Sequence, residues 1–131
     1  MNNAQPDVVY VRYIVDDVQD AVDFYTAHLG FTIDVTFPPA FASVARGSLR
    51  LLLSGPESSG AWATPADRAL GGRNRIQLVV DDVAAEVQRL RAAGVSFRSG
   101  LIVGPGGRQI LLADPAENLV ELFAPHAPVA V

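Results

Sequence analysis

Cysteine is absent from this 131-residue chain, and all ten of its basic residues are arginine. Without cysteine there is no disulfide, thiolate zinc site, iron–sulfur cluster or thiol nucleophile. Without lysine there is no Schiff-base chemistry and no P-loop lysine. Two histidines, His28 and His126, leave little material for a site built on several imidazoles. Positive charge is scarce as well: 10 basic residues against 14 acidic ones give a net charge of −4, with a pI near 4.9. Nucleic-acid binders need a basic face that displaces counterions, and no arginine run supplies one, so no nucleic-acid partner is expected. Long hydrophobic runs are also missing. Half of the residues are apolar, yet no stretch approaches the ~18 consecutive apolar residues that span a bilayer. Met1 to Pro6 has neither the charged n-region nor the apolar h-region of a secretory leader. The expectation is a cytoplasmic domain without a membrane partner.

The size allows a self-sufficient core. For 13.9 kDa, surface scaling has about 67% of the unfolded surface buried, enough for one domain without covalent staples. Within that domain the chain repeats itself. Val15-Asp16-Asp17-Val18 returns as Val80-Asp81-Asp82-Val83, about half a chain later. Nearly the same spacing carries Leu29-Gly30-Phe31 onto Ala93-Gly94-Val95, and Leu52-Leu53-Ser54-Gly55-Pro56 aligns with Glu121-Leu122-Phe123-Ala124-Pro125. Strand, cap, helix and glycine stop match in order, which marks a duplicated module.

Each half reads as a strand, a helix and three strands. Val8 to Val15 is β-branched and aromatic. Asp16 or Asp17 then caps a helix carrying Val18, Ala21, Val22, Tyr25 and Leu29 at helical spacing, and Gly30 stops it. Strands are expected near 31–37, 41–46 and 49–54. In the second half a strand at 75–80 precedes a helix with Val83, Val87 and Leu90, stopped by Gly94. Strands then follow near 95–98 or 101–103, at 108–113 and at 118–123. The modules are placed at 7–56 and 74–125, with a tail at 126–131. Between them, 57–73 forms a loop whose length suits a lid, a binding loop or a linker. The single tryptophan, Trp62, lies in that loop, where it packs on a sheet edge, a dimer interface or a ligand.

With these residues in view the chain resembles a known family. Two βαβββ modules, each with "VDD" before its helix, "FYTAHLGF" at 24–31 and "DPAENLVELF" at 114–123 are similar to the vicinal oxygen chelate superfamily. That group includes glyoxalase I, bleomycin-resistance protein, extradiol dioxygenases and fosfomycin-resistance enzymes. The resemblance spans nearly the whole chain. It implies an α+β fold in which two modules form a cup-shaped mixed sheet with helices outside. One turn departs from the family pattern. Where Asp-Pro-Asp-Gly-Asn is usual, this chain has Asp114-Pro115-Ala116-Glu117-Asn118, so Glu117 is expected in a conformation that suits glycine.

Alternation along strands sorts the side chains. Val9, Val11, Tyr13 and Val15 should face the first helix, leaving Tyr10, Arg12 and Ile14 toward the cup. Ile76, Leu78 and Val80 should face the second helix, leaving Arg75, Gln77 and Val79. In the last strand Val120 and Leu122 turn to the helix, and Leu119, Glu121 and Phe123 to the cup. The resemblance implies four metal-ligand positions on such strands, and here they fall on Tyr10, Leu52, Arg75 and Glu121. Only Glu121 is a metal-ligand side chain, whereas an arginine adds a positive charge and no lone pair. No metal and no other cofactor is expected, unless a strand slip brings in Gln77, which would turn the apolar faces outward.

Glu121 in an apolar strand needs a partner, and Arg75 or Arg12 is the candidate. Either the pair is structural, or one guanidinium reads an anionic or carbonyl oxygen of a ligand. Weaker signals read as structure. Gly104-Pro105-Gly106-Gly107 is a hairpin turn rather than an anion loop, and no Gly-x-Ser-x-Gly elbow exists. Phe37, Phe41, Phe97 and Phe123 either line a pocket or, for the most part, join the core.

Two functions follow. The first is a metal-free binding protein that holds a hydrophobic or aromatic drug or natural product for sequestration or self-resistance. It would be a homodimer whose ligand meets Tyr10, Arg12, Phe37, Phe41, Leu52, Trp62, Arg75, Gln77 and Glu121. The second is an enzyme of the same superfamily, an isomerase, lyase, cyclase or dioxygenase. There Glu121 would act as general base, with Arg12 or Arg75 stabilising an oxyanion. A guanidinium beside the carboxylate opposes proton uptake, which ranks the binding protein first.

Overall fold

The computed structural model describes residues 8–58 and 74–126. The chain divides into two compact units, Met1–Ala69 and Leu70–Val131. The first holds strand β1 (Val9–Ile14), helix α1 (Val18–His28), and strands β2 (Thr32–Phe37), β3 (Phe41–Arg46) and β4 (Leu49–Ser54). The second holds β5 (Arg75–Val79), helix α2 (Val83–Ala92), β6 (Ile102–Val103), β7 (Gly107–Ala113) and β8 (Leu119–Pro125). Each unit builds a four-stranded sheet, in the orders β1-β4-β3-β2 and β5-β8-β7-β6. The first strand of each unit runs parallel to the last, and the remaining pairs are antiparallel. The expected βαβββ module is therefore present twice.

Both helices start and stop by the same local chemistry. Asp17 accepts a bond from the Asp20 amide at 3.0 Å, and Asp82 accepts one from the Ala85 amide at 3.1 Å. Each carboxylate thereby satisfies one of the amides a helix start leaves open. At the far ends Gly30 and Gly94 take φ of 76° and 85°, which lets the chain reverse without a Cβ clash. The amides of Phe31 and Val95 then return to the carbonyls of Tyr25 and Leu90.

Alternation along the strands gives each sheet one face toward its helix. In the first unit Tyr13, Val15, Ala42, Val44, Leu51 and Leu53 are buried there with Val18, Ala21, Val22 and Tyr25 of α1. Tyr25 meets Phe31 edge to face, with ring centroids 5.3 Å apart. In the second unit Ile76, Leu78, Ile110, Leu112, Val120 and Leu122 are buried with Val83, Val87 and Leu90 of α2. Fully burying one such aliphatic side chain contributes about 1.5–3 kcal/mol, so each sheet is held to its own helix by this face.

Three expectations need correction. Val9 and Val11 follow the helix-facing parity, yet Val9 is exposed and Val11 only half-buried. Phe37, Phe41, Phe97 and Phe123 are not core. Phe37 is 66% exposed and the other three are half-buried. Phe37, Phe41 and Phe123 lie on the sheet faces turned away from the helices, and the buried aromatics are Tyr13, Tyr25 and Phe31. The strand expected at 95–98 or 101–103 is short: Phe97 makes an isolated bridge to Leu112, and only Ile102–Val103 pairs as β6.

Among the described residues no helix is long and apolar enough to cross a membrane. The Gly104–Gly107 segment is the hairpin turn expected, joined by a bond from the Gly104 amide to the Gly107 carbonyl at 2.9 Å. The 114–118 turn closes around Asp114, whose carboxylate accepts bonds from the amides of Ala116 and Asn118 at 2.9 and 2.8 Å. Glu117 completes that turn at φ 72°, the one described non-glycine residue at positive φ.

Candidate functional site

The helix-free face of the second sheet is organised around Glu121. Strand β8 lies between β5 and β7, with Gln77 and Leu111 directly opposite Glu121. Glu121 is only 5% exposed, and a buried carboxylate without partners is unfavourable by several kcal/mol. Strand β5 supplies the partners. Arg75 Nε stands 3.0 Å from Glu121 Oε1, and the Gln77 amide donates to Oε2 at 2.7 Å. Both oxygens are engaged. Arg75 lies one alternation before Gln77, so period-two geometry brings both side chains to one carboxylate. Beyond this cluster the face turns apolar, with Val79 beside Phe123 and 60% exposed.

The corresponding face of the first sheet has different chemistry. Tyr10 is 64% exposed, and its register partner is Arg50. Arg50 pairs with Asp34 at 4.0 Å and donates to the carbonyls of Gly47 and Leu49. Arg12 stands beside half-buried Leu52. Its Nη1 donates to the Ser54 hydroxyl at 2.7 Å, and Ser54 is fully buried. Across the sheet Ser54 is the partner of Phe41, and Phe41 that of Phe37.

The expected residues therefore gather in two groups: Arg75, Gln77 and Glu121 in the second unit, and Tyr10, Arg12, Phe37, Phe41 and Leu52 in the first. Trp62 lies outside the described residues. Of the two arginines proposed for Glu121, Arg75 makes the contact. Ser54 was missed as a polar site residue. Its signal was available, since it is the one hydroxyl in the apolar run from Leu51 to Ser54. A cleft of about 350 Å3 at the start of α2, with Asp81, Asp82, Arg108 and His126 among its walls, was not anticipated either. None of the described residues expected at the site lines it. The histidines lie away from the helix-free faces: His28 sits in the last turn of α1, and the His126 ring is 2.7 Å from the Gly104 carbonyl oxygen.

A family model described as the Glyoxalase/Bleomycin resistance protein/Dioxygenase superfamily matches residues 7–122. The chain belongs to this superfamily. Solved structures agree. A lactoylglutathione lyase from Agrobacterium tumefaciens is 26% identical with a TM-score of 0.72, covering 92% of this chain and 95% of its own. TnmS3, an antibiotic binding protein from Streptomyces sp. CB03234, is 28% identical with a TM-score of 0.69, covering 95% and 99%. A glyoxalase/bleomycin resistance protein/dioxygenase from Nocardioides is 25% identical with a TM-score of 0.71, covering 99% and 92%. A search of curated proteins finds no match.

Membership raises the question of a metal, and the donor set does not fit one. Of the four strand positions implied by the resemblance, Tyr10 is an exposed phenol, Leu52 has no donor, and Arg75 is a cation. The fourth, Glu121, already binds that cation through one oxygen and Gln77 through the other. Divalent ions require several carboxylate oxygens or neutral imidazoles together. Among the described residues no group of three or more histidine, cysteine, aspartate or glutamate side chains is arranged to supply them.

Proposed function

We propose that this superfamily member is a metal-free binding protein for a hydrophobic or aromatic small molecule, such as a drug or natural product, acting by sequestration. The observation that carries the proposal is the state of Glu121. Its two oxygens are held by Arg75 and Gln77, leaving it neither a metal ligand nor an available base. Around it and on the matching face of the first unit are exposed ring and aliphatic surfaces, including Tyr10, Phe37 and Val79. Apolar walls with a few fixed polar groups are what small-molecule recognition requires. The likeness to an antibiotic binding protein over nearly the full length of both chains supports the same reading.

The alternative is an isomerase, lyase, cyclase or dioxygenase using Glu121 as base, with Arg12 or Arg75 as oxyanion stabiliser. It has the likeness to a lactoylglutathione lyase in its favour. It requires Glu121 to leave two partners before taking a proton, so it ranks second. A symmetric homodimer in the cytoplasm belongs to the same proposal, by analogy with the commonest oligomer type.

Calorimetric titration with Ni²⁺, Zn²⁺, Mn²⁺ and Fe²⁺, followed by titration with aromatic natural products, tests the reading. No stoichiometric metal uptake and saturable binding of an aromatic compound are expected. One metal ion bound per chain would overturn it and move the search to lyase and dioxygenase substrates.

A further inference from the structure

The two sheets place arginine on the same kind of face but compensate it differently. In the second unit Arg75 is matched by the buried carboxylate of Glu121. The repeat alignment puts Leu52 at the place of Glu121, Gln77 at the place of Arg12, and Phe123 at the place of Ser54. Thus in the first unit the strand beside the arginine offers an aliphatic side chain where its counterpart offers a charge. Arg12 is exposed, and its hydrogen-bond partner among the described residues is the neutral Ser54 hydroxyl. No carboxylate among the described residues lies within 4.0 Å of it. Asp34, the acidic residue on this side of the sheet, pairs with Arg50 and accepts from Ser43.

We infer that the helix-free face of the first unit is an anion-reading subsite, in which Arg12 binds the carboxylate or phenolate of an aromatic ligand. The inference rests on the binding-protein reading and names the ligand's chemistry. Three observations support it. A guanidinium carries five donors in a planar fork suited to a carboxylate, and the bond to Ser54 engages one of its terminal nitrogens. Ser54 is a fully buried hydroxyl at the end of β4, so it holds the guanidinium in one orientation and makes Ser54 a positioning residue. Immediately beyond Ser54 in the same cross-strand row stand Phe41 and exposed Phe37, an apolar surface for a ring whose acidic group reaches Arg12. In a chain of net charge −4, an uncompensated arginine at this place is a local exception to the overall field.

Matched probes test this: naphthalene, anthracene and pyrene bearing either a carboxylate or the neutral carboxamide, titrated by calorimetry against the full chain. At least one ring system should bind, and its carboxylate about tenfold more tightly than its carboxamide, the size expected of a charge-assisted bond. Arg12→Gln should bring that ratio close to one, and retained carboxamide binding shows that the variant is folded. Ser54→Ala should lower the ratio severalfold, whereas a purely structural role would weaken both probes alike and leave the ratio intact. Arg98→Gln, which removes an exposed cation of the second unit outside the candidate site, should leave the ratio intact. Equal affinity for the two probes, or a preference that survives Arg12→Gln or vanishes in Arg98→Gln, would overturn the subsite and leave the binding-protein reading standing. Failure of every probe to bind would overturn both.

Discussion

The two modules share strand order, helix caps and glycine stops, and they differ in what they place on the face away from the helix. The first puts Leu52 and Ser54 beside Arg12, and the second puts Glu121 and Gln77 around Arg75. The helix-facing positions barely diverge: Leu51 and Leu53 in β4 correspond to Val120 and Leu122 in β8, all fully or almost fully buried. The contrast separates two demands on one architecture. Packing against a helix admits apolar side chains of similar volume and little else. The opposite face is not constrained by helix packing, so its chemistry differs between the two modules. One module there uses its charges on each other, and the other leaves a cation exposed.

If packing is truly equivalent, damaging the same core position in either module should have the same consequence. Leu53 and Leu122 occupy corresponding places, at 0% and 1% exposure. Leu53→Ala and Leu122→Ala should each lower unfolding free energy by about 3 kcal/mol, the usual cost of emptying a buried leucine site. Urea titrations followed by circular dichroism would measure both. A loss of under about 1 kcal/mol in one variant alone would show that the two cores are not equivalent, whatever their shared pattern.

The difference between the open faces can be erased by one substitution. Leu52→Glu gives the first module the carboxylate that the second has, adjacent to Arg12 in the register. The new carboxylate should pair with Arg12 and remove most of the roughly tenfold preference for an aromatic carboxylate over its carboxamide. Because Leu52 is half-buried, the substituted residue keeps contact with solvent and the fold should tolerate it. Paired calorimetric titrations measure the ratio. A preference untouched by Leu52→Glu would mean that compensation by the neighbouring strand is not what distinguishes the modules.

Local rules of the chain were enough to read the modules. The aspartate caps, the glycine stops and the alternation of Ile76, Leu78, Val120 and Leu122 depend on neighbours a few residues away, and each was found where expected. The pairing of Glu121 with a strand arginine was also legible, because an apolar strand cannot leave a carboxylate alone. Which arginine it takes was not. That depends on β5 lying beside β8 in parallel register, a contact between distant segments. The phenylalanines differ from expectation for a related reason. Phe37 and Phe41 look like core by composition, but a hydrophobic side chain is buried only if its strand parity points it at the helix. The role of Ser54 is not legible in the sequence, because it depends on Arg12, forty-two positions away on another strand.

The smallest effect concerns a feature that only one described module shows. Glu117 is held at φ 72° in the turn between β7 and β8, a conformation costing a residue with a Cβ roughly 1–2 kcal/mol. Glycine would relieve that strain but would lose more freedom on folding, by roughly 0.5–1 kcal/mol. It would also remove the ion pair of Glu117 with Arg98. That pair is substantially exposed and contributes at most a few tenths of a kcal/mol. The relief exceeds the losses by a small margin, so Glu117→Gly should raise unfolding free energy by about 0.5 kcal/mol. The carboxylate of Asp114 anchors the turn through the amides of Ala116 and Asn118, neither of which the substitution removes. Thermal unfolding of Glu117→Gly beside Arg98→Gln separates the contributions. The first should rise in midpoint and the second fall slightly; a fall in Glu117→Gly deeper than that in Arg98→Gln would mean the turn is held by its glutamate and not strained by it.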